Sequence, residues 1–135
     1  SGADIWASEV DRPYILGEVD RPGFKKFLPY IFRVEKPKAV KPYPVDGKMN
    51  EVTVVPAPGH TPGHVCLIFE DILFAGDLVE NKGGLLSPYP SPWNWDSALL
   101  EKSIKAVFDY PFRWICPAHG NPIERDKVEN LFHLK

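Results

Sequence analysis

Glu51-Val52-Thr53-Val54-Val55, broken off by Pro56-Ala57-Pro58-Gly59 and followed at once by His60, is the stretch from which the fold is read. Four consecutive β-branched residues favour a strand, because their stiff side chains pack well on a pleated surface. The proline-rich segment cannot continue a central strand, since proline donates no ladder hydrogen bond. Downstream, Val65-Cys66-Leu67-Ile68-Phe69 is a second apolar run, Glu70-Asp71 a tight turn, and Ile72-Leu73-Phe74-Ala75 a third run; together they predict a hairpin. Asp96 is a good N-cap for a helix in which Leu99, Leu100, Ile104, Val107 and Phe108 recur at helical spacing, with Glu101, Lys102 and Lys105 on the other side. Trp114-Ile115-Cys116 predicts a short buried strand, and Asn121-Pro122 the N-cap and first residue of a final helix to about Phe132. Strands alternating with helices predict an α/β layered sandwich.

Upstream, Ala3-Asp4-Ile5-Trp6-Ala7 predicts a short strand, and Ser8 the N-cap of a helical turn through Tyr14. Residues 17–48 are rich in Gly and Pro, with Phe24, Phe27, Tyr30 and Phe32 near helical spacing; they predict a lid-like or crossing segment with one short helix at most. No stretch has linker composition, so residues 1–135 are expected to form a single domain, long enough for a real core. A net charge of −2 gives no basic footprint for nucleic acid and no polybasic surface for anionic lipid. Lys36, Lys38 and Lys41 stand among prolines and read as a solvated loop. There is no run of 18 apolar residues, hence no membrane span, and Ser1-Gly2-Ala3-Asp4 has no signal-peptide character, so a cytoplasmic location is expected. Cys66 and Cys116 form no C-x-x-C pair and read as small core residues, a disulfide between them being left open.

The four histidines are His60, His64, His119 and His133. His60 follows Pro58-Gly59 after one predicted strand, Asp77 follows Gly76 after another, and His119 follows Pro117-Ala118 after a third. Strand exits present side chains on rigid backbone to a shared sheet edge. Imidazole and carboxylate are groups that Zn²⁺ accepts, at about 2.0–2.2 Å. Taken singly, each is more often an ordinary turn residue than a ligand. His64 lies four positions beyond His60, a spacing that shares a face only in a helix; Pro62-Gly63 makes this a turn, so His64 reads as structural or as support for a ligand. His133 reads as a surface or helix-end histidine. Thr61 is expected to hold the turn, and Gly59, Gly63 and Gly76 to allow positive φ or close backbone approach. Tyr89, Trp93 and Trp95, in a proline-rich stretch just after Asp77, are expected either to wall a substrate pocket or to cover the core edge.

Three motifs, Pro58-Gly59-His60-Thr61-Pro62-Gly63-His64, Leu73-Phe74-Ala75-Gly76-Asp77 and Cys116-Pro117-Ala118-His119-Gly120, resemble in order and spacing the metallo-β-lactamase superfamily. The resemblance is closest to its glyoxalase II-like and lactonase-like hydrolases and runs from Ala3 onward. It implies an αββα four-layer sandwich with a mixed sheet and flanking helices. It also implies two zinc ions, with His60 on the first, Asp77 bridging and His119 on the second. The chemistry implied is hydrolysis of a small-molecule ester, thioester or lactone by metal-bound hydroxide, with no serine or cysteine nucleophile. The family's H-x-H-x-D-H cluster is absent, and no H-x-H occurs anywhere. The chain therefore resembles the C-terminal part of the fold. A catalytic zinc takes three protein ligands and a water, so weak zinc binding and little activity are expected of this chain alone. A sheet face that the N-terminal half would cover is expected to stand exposed, so that this half or a second copy becomes the partner. A non-catalytic half-domain that self-associates as a scaffold or interaction module is the alternative. A diiron redox relative or a nuclease would keep the fold, and the acidic charge argues against the nuclease.

Overall fold

The run that opens the reading is a strand, and its apolar partners form a sheet around it. The structure, a computed structural model, describes residues 3–20, 37–44 and 46–128. The chain divides into two units, Ser1–Tyr43 and Pro44–Lys135.

In the first unit, β1 (Trp6–Ala7) pairs in parallel with β2 (Lys41–Pro42), Trp6 opposite Lys41. Lys41 Nζ lies 2.6 Å from an Asp4 carboxylate oxygen and 5.4 Å from the centre of the Trp6 ring. The predicted strand from Ala3 is thus only two residues long. The helical turn after Ser8 is α1 (Arg12–Leu16), later than expected. Ser8 Oγ accepts from the Asp11 amide at 3.1 Å, and Pro13 in the first turn sacrifices no helical hydrogen bond. The short helix expected among the aromatics of 17–48 lies outside the described residues.

The second unit holds a seven-stranded mixed sheet. Its strands are β3 (Lys48–Met49), β4 (Val52–Pro56), β5 (Val65–Phe69), β6 (Ile72–Lys82), β7 (Leu85–Pro88), β8 (Trp114–His119) and β9 (Ile123–Glu124). The order is β3-β4-β5-β6-β8-β9, with β7 pairing the far end of β6. The β5–β6 hairpin turns at Glu70-Asp71 as expected, Phe69 opposite Ile72. Within this sheet, among the described residues, only β6 and β8 run parallel, and α2 (Ser97–Phe108) lies between them in sequence, as a parallel connection requires. Asp96 caps α2, its Oδ1 accepting from the Leu99 amide at 2.9 Å. Leu100, Ile104, Val107 and Phe108 bury one face of α2 in the same cluster as Val55, Cys66, Ile68, Leu73, Ala75 and Ile115. Each fully buried Leu or Ile of that kind contributes about 1.5–3 kcal/mol. Leu99 is only half buried.

Four boundaries in this unit differ from the sequence reading. β4 does not end before Pro56 but includes it, opposite Val65 of β5, at a point where β3 no longer pairs and the missing proline donor costs no ladder bond. β6 does not stop at Ala75 but continues to Lys82. β8 continues past Cys116 to His119. Asn121-Pro122 does not open a helix: Ile123 and Glu124 pair antiparallel with Ile115 and Trp114, and Arg125–Lys127 form one 3₁₀ turn. Ile123 is buried in the sheet core, and closing that edge prevails over the helix-start signal. The rest of the expected helix, with His133, lies outside the described residues. Both cysteines are free thiols, Cys66 fully buried and Cys116 half buried. No helix among the described residues is long and apolar enough to cross a membrane.

Candidate metal centre

A change of register places Asp77. Gly76 pairs with Pro117 and Glu80 with His119. Between those pairs β6 advances four residues while β8 advances two, so β6 bulges there. A bulge leaves residues unpaired and re-aims their side chains; Asp77 is the residue after the kink. It lies within β6 rather than at a strand exit, and His119 is likewise the last residue of β8 rather than a residue beyond it. Gly76 takes φ +56°, and a Cβ there would meet His64 Nε2 at 2.8 Å.

His60 is presented by the loop after β4, which is tied down at several points. Ala57 donates to the His64 carbonyl at 2.9 Å, and the Thr61 carbonyl accepts from Gly59 at 3.0 Å. The Gly59 and His60 carbonyls accept from the Asp96 and Trp95 amides at 2.9 and 3.1 Å. Ser103 Oγ donates to the Pro58 carbonyl at 2.7 Å. At Gly59 (φ +146°) a Cβ would stand 2.4 Å from Leu100 Cα. The Thr61 carbonyl also accepts from the His64 amide at 3.4 Å. His64 Nδ1 faces the Ala57 carbonyl at 3.1 Å; a carbonyl only accepts, so Nδ1 carries the proton, and the ring fastens the base of the loop.

These elements bring His60, Asp77 and His119 together. His60 Nε2 lies 3.6 Å from Asp77 Oδ2, and His119 Nε2 lies 3.3 Å from Asp77 Oδ1. Asp77 Oδ1 is buried without a hydrogen-bond partner among the described residues, which costs free energy unless something else satisfies it. The two spacings have a simple geometric reading. Ligands about 2.0–2.2 Å from one tetrahedral ion stand roughly 3.3–3.6 Å apart. Each carboxylate oxygen and the imidazole it faces are thus spaced as two ligands of one ion would be. Among the described residues no three His, Cys, Asp or Glu groups are placed to hold one ion by themselves. The donor set fits one side of a two-ion site.

Tyr89 stands between the imidazoles, edge-on to His60 at 4.9 Å between ring centres and tilted over His119 at 5.5 Å. Its phenol is held above the usual tyrosine value, by burial first and then by the Asp77 and Glu80 carboxylates. Trp93 and Trp95 lie on the same loop with their side chains exposed. Two residues beside the site carry no signal in the sequence reading. Glu80 lies opposite His119 in the sheet and is buried, its carboxylate 2.7 Å from Lys82 Nζ. Asn94 Oδ1 faces His60 Nδ1 at 3.3 Å.

Comparison with known proteins identifies the fold and the family. A probable metallo-hydrolase of Methanocaldococcus jannaschii is 32% identical over 60 residues, 44% of this chain and 30% of that protein. A hydroxyacylglutathione hydrolase of Shewanella halifaxensis is 52% identical over 31 residues, 23% of this chain and 12% of that protein. Among solved structures, a protein crystallised in a di-iron-bound form superposes with a TM-score of 0.64 at 23% identity, covering 90% of this chain and 59% of its own. An archaeal metallo-β-lactamase superfamily protein from Sulfolobus tokodaii gives 0.64 at 18% identity, covering 94% and 56%. The chain thus spans only part of the length of each of these relatives. The model of the metallo-β-lactamase superfamily matches residues 2–119, most of the chain, which therefore belongs to that superfamily of metal-dependent, hydrolase-like proteins.

Proposed function

We propose that this chain supplies one side of a dinuclear zinc hydrolase site, with His60 on one ion, Asp77 shared and His119 on the other. The observation that carries this reading is the Asp77 carboxylate, whose two oxygens face two different imidazoles while one of them is buried without a hydrogen bond among the described residues. When bound, such ions supply a Lewis acid and a water of pKa near 7. This chain's residues hold the ligands in place and line the approach. Tyr89 packs against both imidazoles, and Trp93 and Trp95 offer exposed apolar surface on the same loop for an acyl group. The proposed substrates are small esters, thioesters or lactones; the similarity to a protein named hydroxyacylglutathione hydrolase favours the thioester. Each ion takes only two of its ligands from this chain, so the others are proposed to come from an N-terminal half bearing H-x-H-x-D-H. The test joins such a half to this chain and measures metal content and chelator-sensitive thioester hydrolysis. Two zinc ions and hydrolysis that His119→Ala abolishes are expected. Two iron ions would replace the proposed metal, and hydrolysis unaffected by chelator would overturn the reading.

A second reading is favoured by the sheet face away from α2. Leu67, Phe74 and Cys116 align in one cross-strand row, and Phe69, Ile72 and Trp114 in another. Phe74 is 45% exposed. We infer that this face associates, with a second copy when no N-terminal half covers it.

A further inference from the structure

We propose that Asn94 is a positioning residue that fixes the tautomer of His60 and so aims Nε2 at Asp77; the inference rests on the metal-site reading above. It follows from which atoms can only accept. Asn94 Nδ2 lies 2.9 Å from the Tyr89 carbonyl oxygen. That oxygen has no proton to give, so the amide nitrogen must face it. The orientation of the side-chain amide is thereby settled by its contacts rather than left open, and Nδ2 also lies 3.3 Å from Ser97 Oγ. Asn94 Oδ1 is then the atom 3.3 Å from His60 Nδ1. An amide oxygen only accepts, so Nδ1 carries the proton and donates. In the neutral ring Nε2 is left with its lone pair, on the side where Asp77 Oδ2 lies 3.6 Å away. Two acceptors facing each other at that distance are the arrangement a shared cation stabilises.

The backbone around Asn94 holds it for this task. Its own amide donates to the Ser91 carbonyl at 3.1 Å, and the next two amides, of Trp95 and Asp96, donate to the carbonyls of His60 and Gly59. The aromatic loop and the ligand loop are thus joined backbone to backbone, with the Asn94 side chain spanning the join. One residue ties the ring orientation of His60 to the position of Tyr89, which packs edge-on against the same imidazole. Partners of this kind orient a ligating histidine and raise its basicity, and their loss typically weakens metal binding about 10–100-fold.

The test uses histidine-detected nitrogen NMR on the metal-free chain, at a pH where the imidazoles are neutral, together with zinc titration of the protein carrying an H-x-H-x-D-H half. Wild type is expected to show His60 with its proton on Nδ1. Asn94→Ala is expected to shift the proton toward Nε2 and to weaken zinc binding about 10–100-fold. Asn94→Asp, which keeps the accepting oxygen but loses the donor to Tyr89, is expected to restore the Nδ1 proton. A wild-type His60 protonated on Nε2, or an Asn94→Ala variant with unchanged tautomer, overturns the proposal. If Asn94→Ala does not fold, Asn94→Asp decides: a proton on Nε2 there refutes it. Absence of zinc binding in every variant, wild type included, refutes the metal-site reading, while the NMR result still judges Asn94.

Discussion

At the scale of single residues, two glycines near the site separate two kinds of constraint. Gly59 takes a φ of +146° and a Cβ there would lie 2.4 Å from the Leu100 Cα, backbone that cannot yield without moving α2. Gly76 takes φ +56°, and its would-be Cβ meets the His64 ring, a side chain rather than backbone, at 2.8 Å. Gly59→Ala is therefore expected to cost roughly 3 kcal/mol or more, by clash as well as conformation. Gly76→Ala should cost about 1–2 kcal/mol, mainly the left-handed backbone. Urea midpoints of the two variants check this, and equal losses would contradict it. Cys66 supplies a pH test. Burial pushes its thiol up to about 12, whereas an exposed thiol has a pKa of about 8.5. A raised folded-state value means that the buried neutral thiol contributes stability below about pH 8.5, and that this is lost as pH climbs toward 12 because only the unfolded chain gives up its proton. Within that window the slope is about −1.4 kcal/mol per pH unit. Cys66→Ala lowers stability overall through its cavity but should flatten this slope. Parallel pH profiles for wild type and variant would refute the assignment.

At the scale of elements, α2 depends on a cap that the sequence announced. The Asp96 carboxylate accepts from the Leu99 amide at 2.9 Å, and the Asp96 amide bonds the Gly59 carbonyl. Asp96→Ala should cost about 1 kcal/mol, while the amide bond to the ligand loop survives; thermal melting with unchanged His60 NMR shifts would bear this out, and a collapsed His60 environment would not. What the sequence showed of each element follows from how local its cause is. The β-branched run at Val52, the apolar runs of β5 and early β6, and the Asp96 cap are short-range signals, and all appear where expected. β6 beyond Ala75 is not a local matter. Gly76-Asp77 reads as a turn in the sequence, yet β8 pairs with β6 on both sides of the kink and β7 pairs with β6 beyond it, from Val79, so that it becomes a bulge within a strand. Asn121-Pro122 carries a genuine helix-start signal that the pairing of Ile123 with Ile115 overrides. His60, Asp77 and His119 were legible because each stands in a recognisable motif. Asn94 was not, because its role depends on a carbonyl five residues back and an imidazole 34 residues back in the chain.

At the scale of the whole molecule, one face of the sheet has a cover of named residues and the other has apolar rows reaching the surface. Strand alternation makes this unavoidable, since residues that do not face α2 face away from it. On the covered face Cys66, Ile68, Leu73 and Ile115 are buried against the helix side. On the opposite face Leu67, Phe69, Ile72, Trp114 and Cys116 are half buried, with Phe74 exposed among them. An apolar patch spread over three adjacent strands is of the kind that marks an interface, whereas an isolated exposed phenylalanine is not. If the face associates, a charge at its centre should abolish association while leaving the buried core intact. Phe74→Lys is expected to reduce the weight-average mass seen in sedimentation toward that of the monomer, across concentrations where wild type associates. Its stability should change by no more than about 1 kcal/mol, because nearly half of the residue is already in water. Joining an N-terminal half should have the same effect on wild type, since both remove the same free apolar surface. Association undiminished in Phe74→Lys would place the interface elsewhere, and association that persists after the N-terminal half is joined would separate it from the face that completes the metal site.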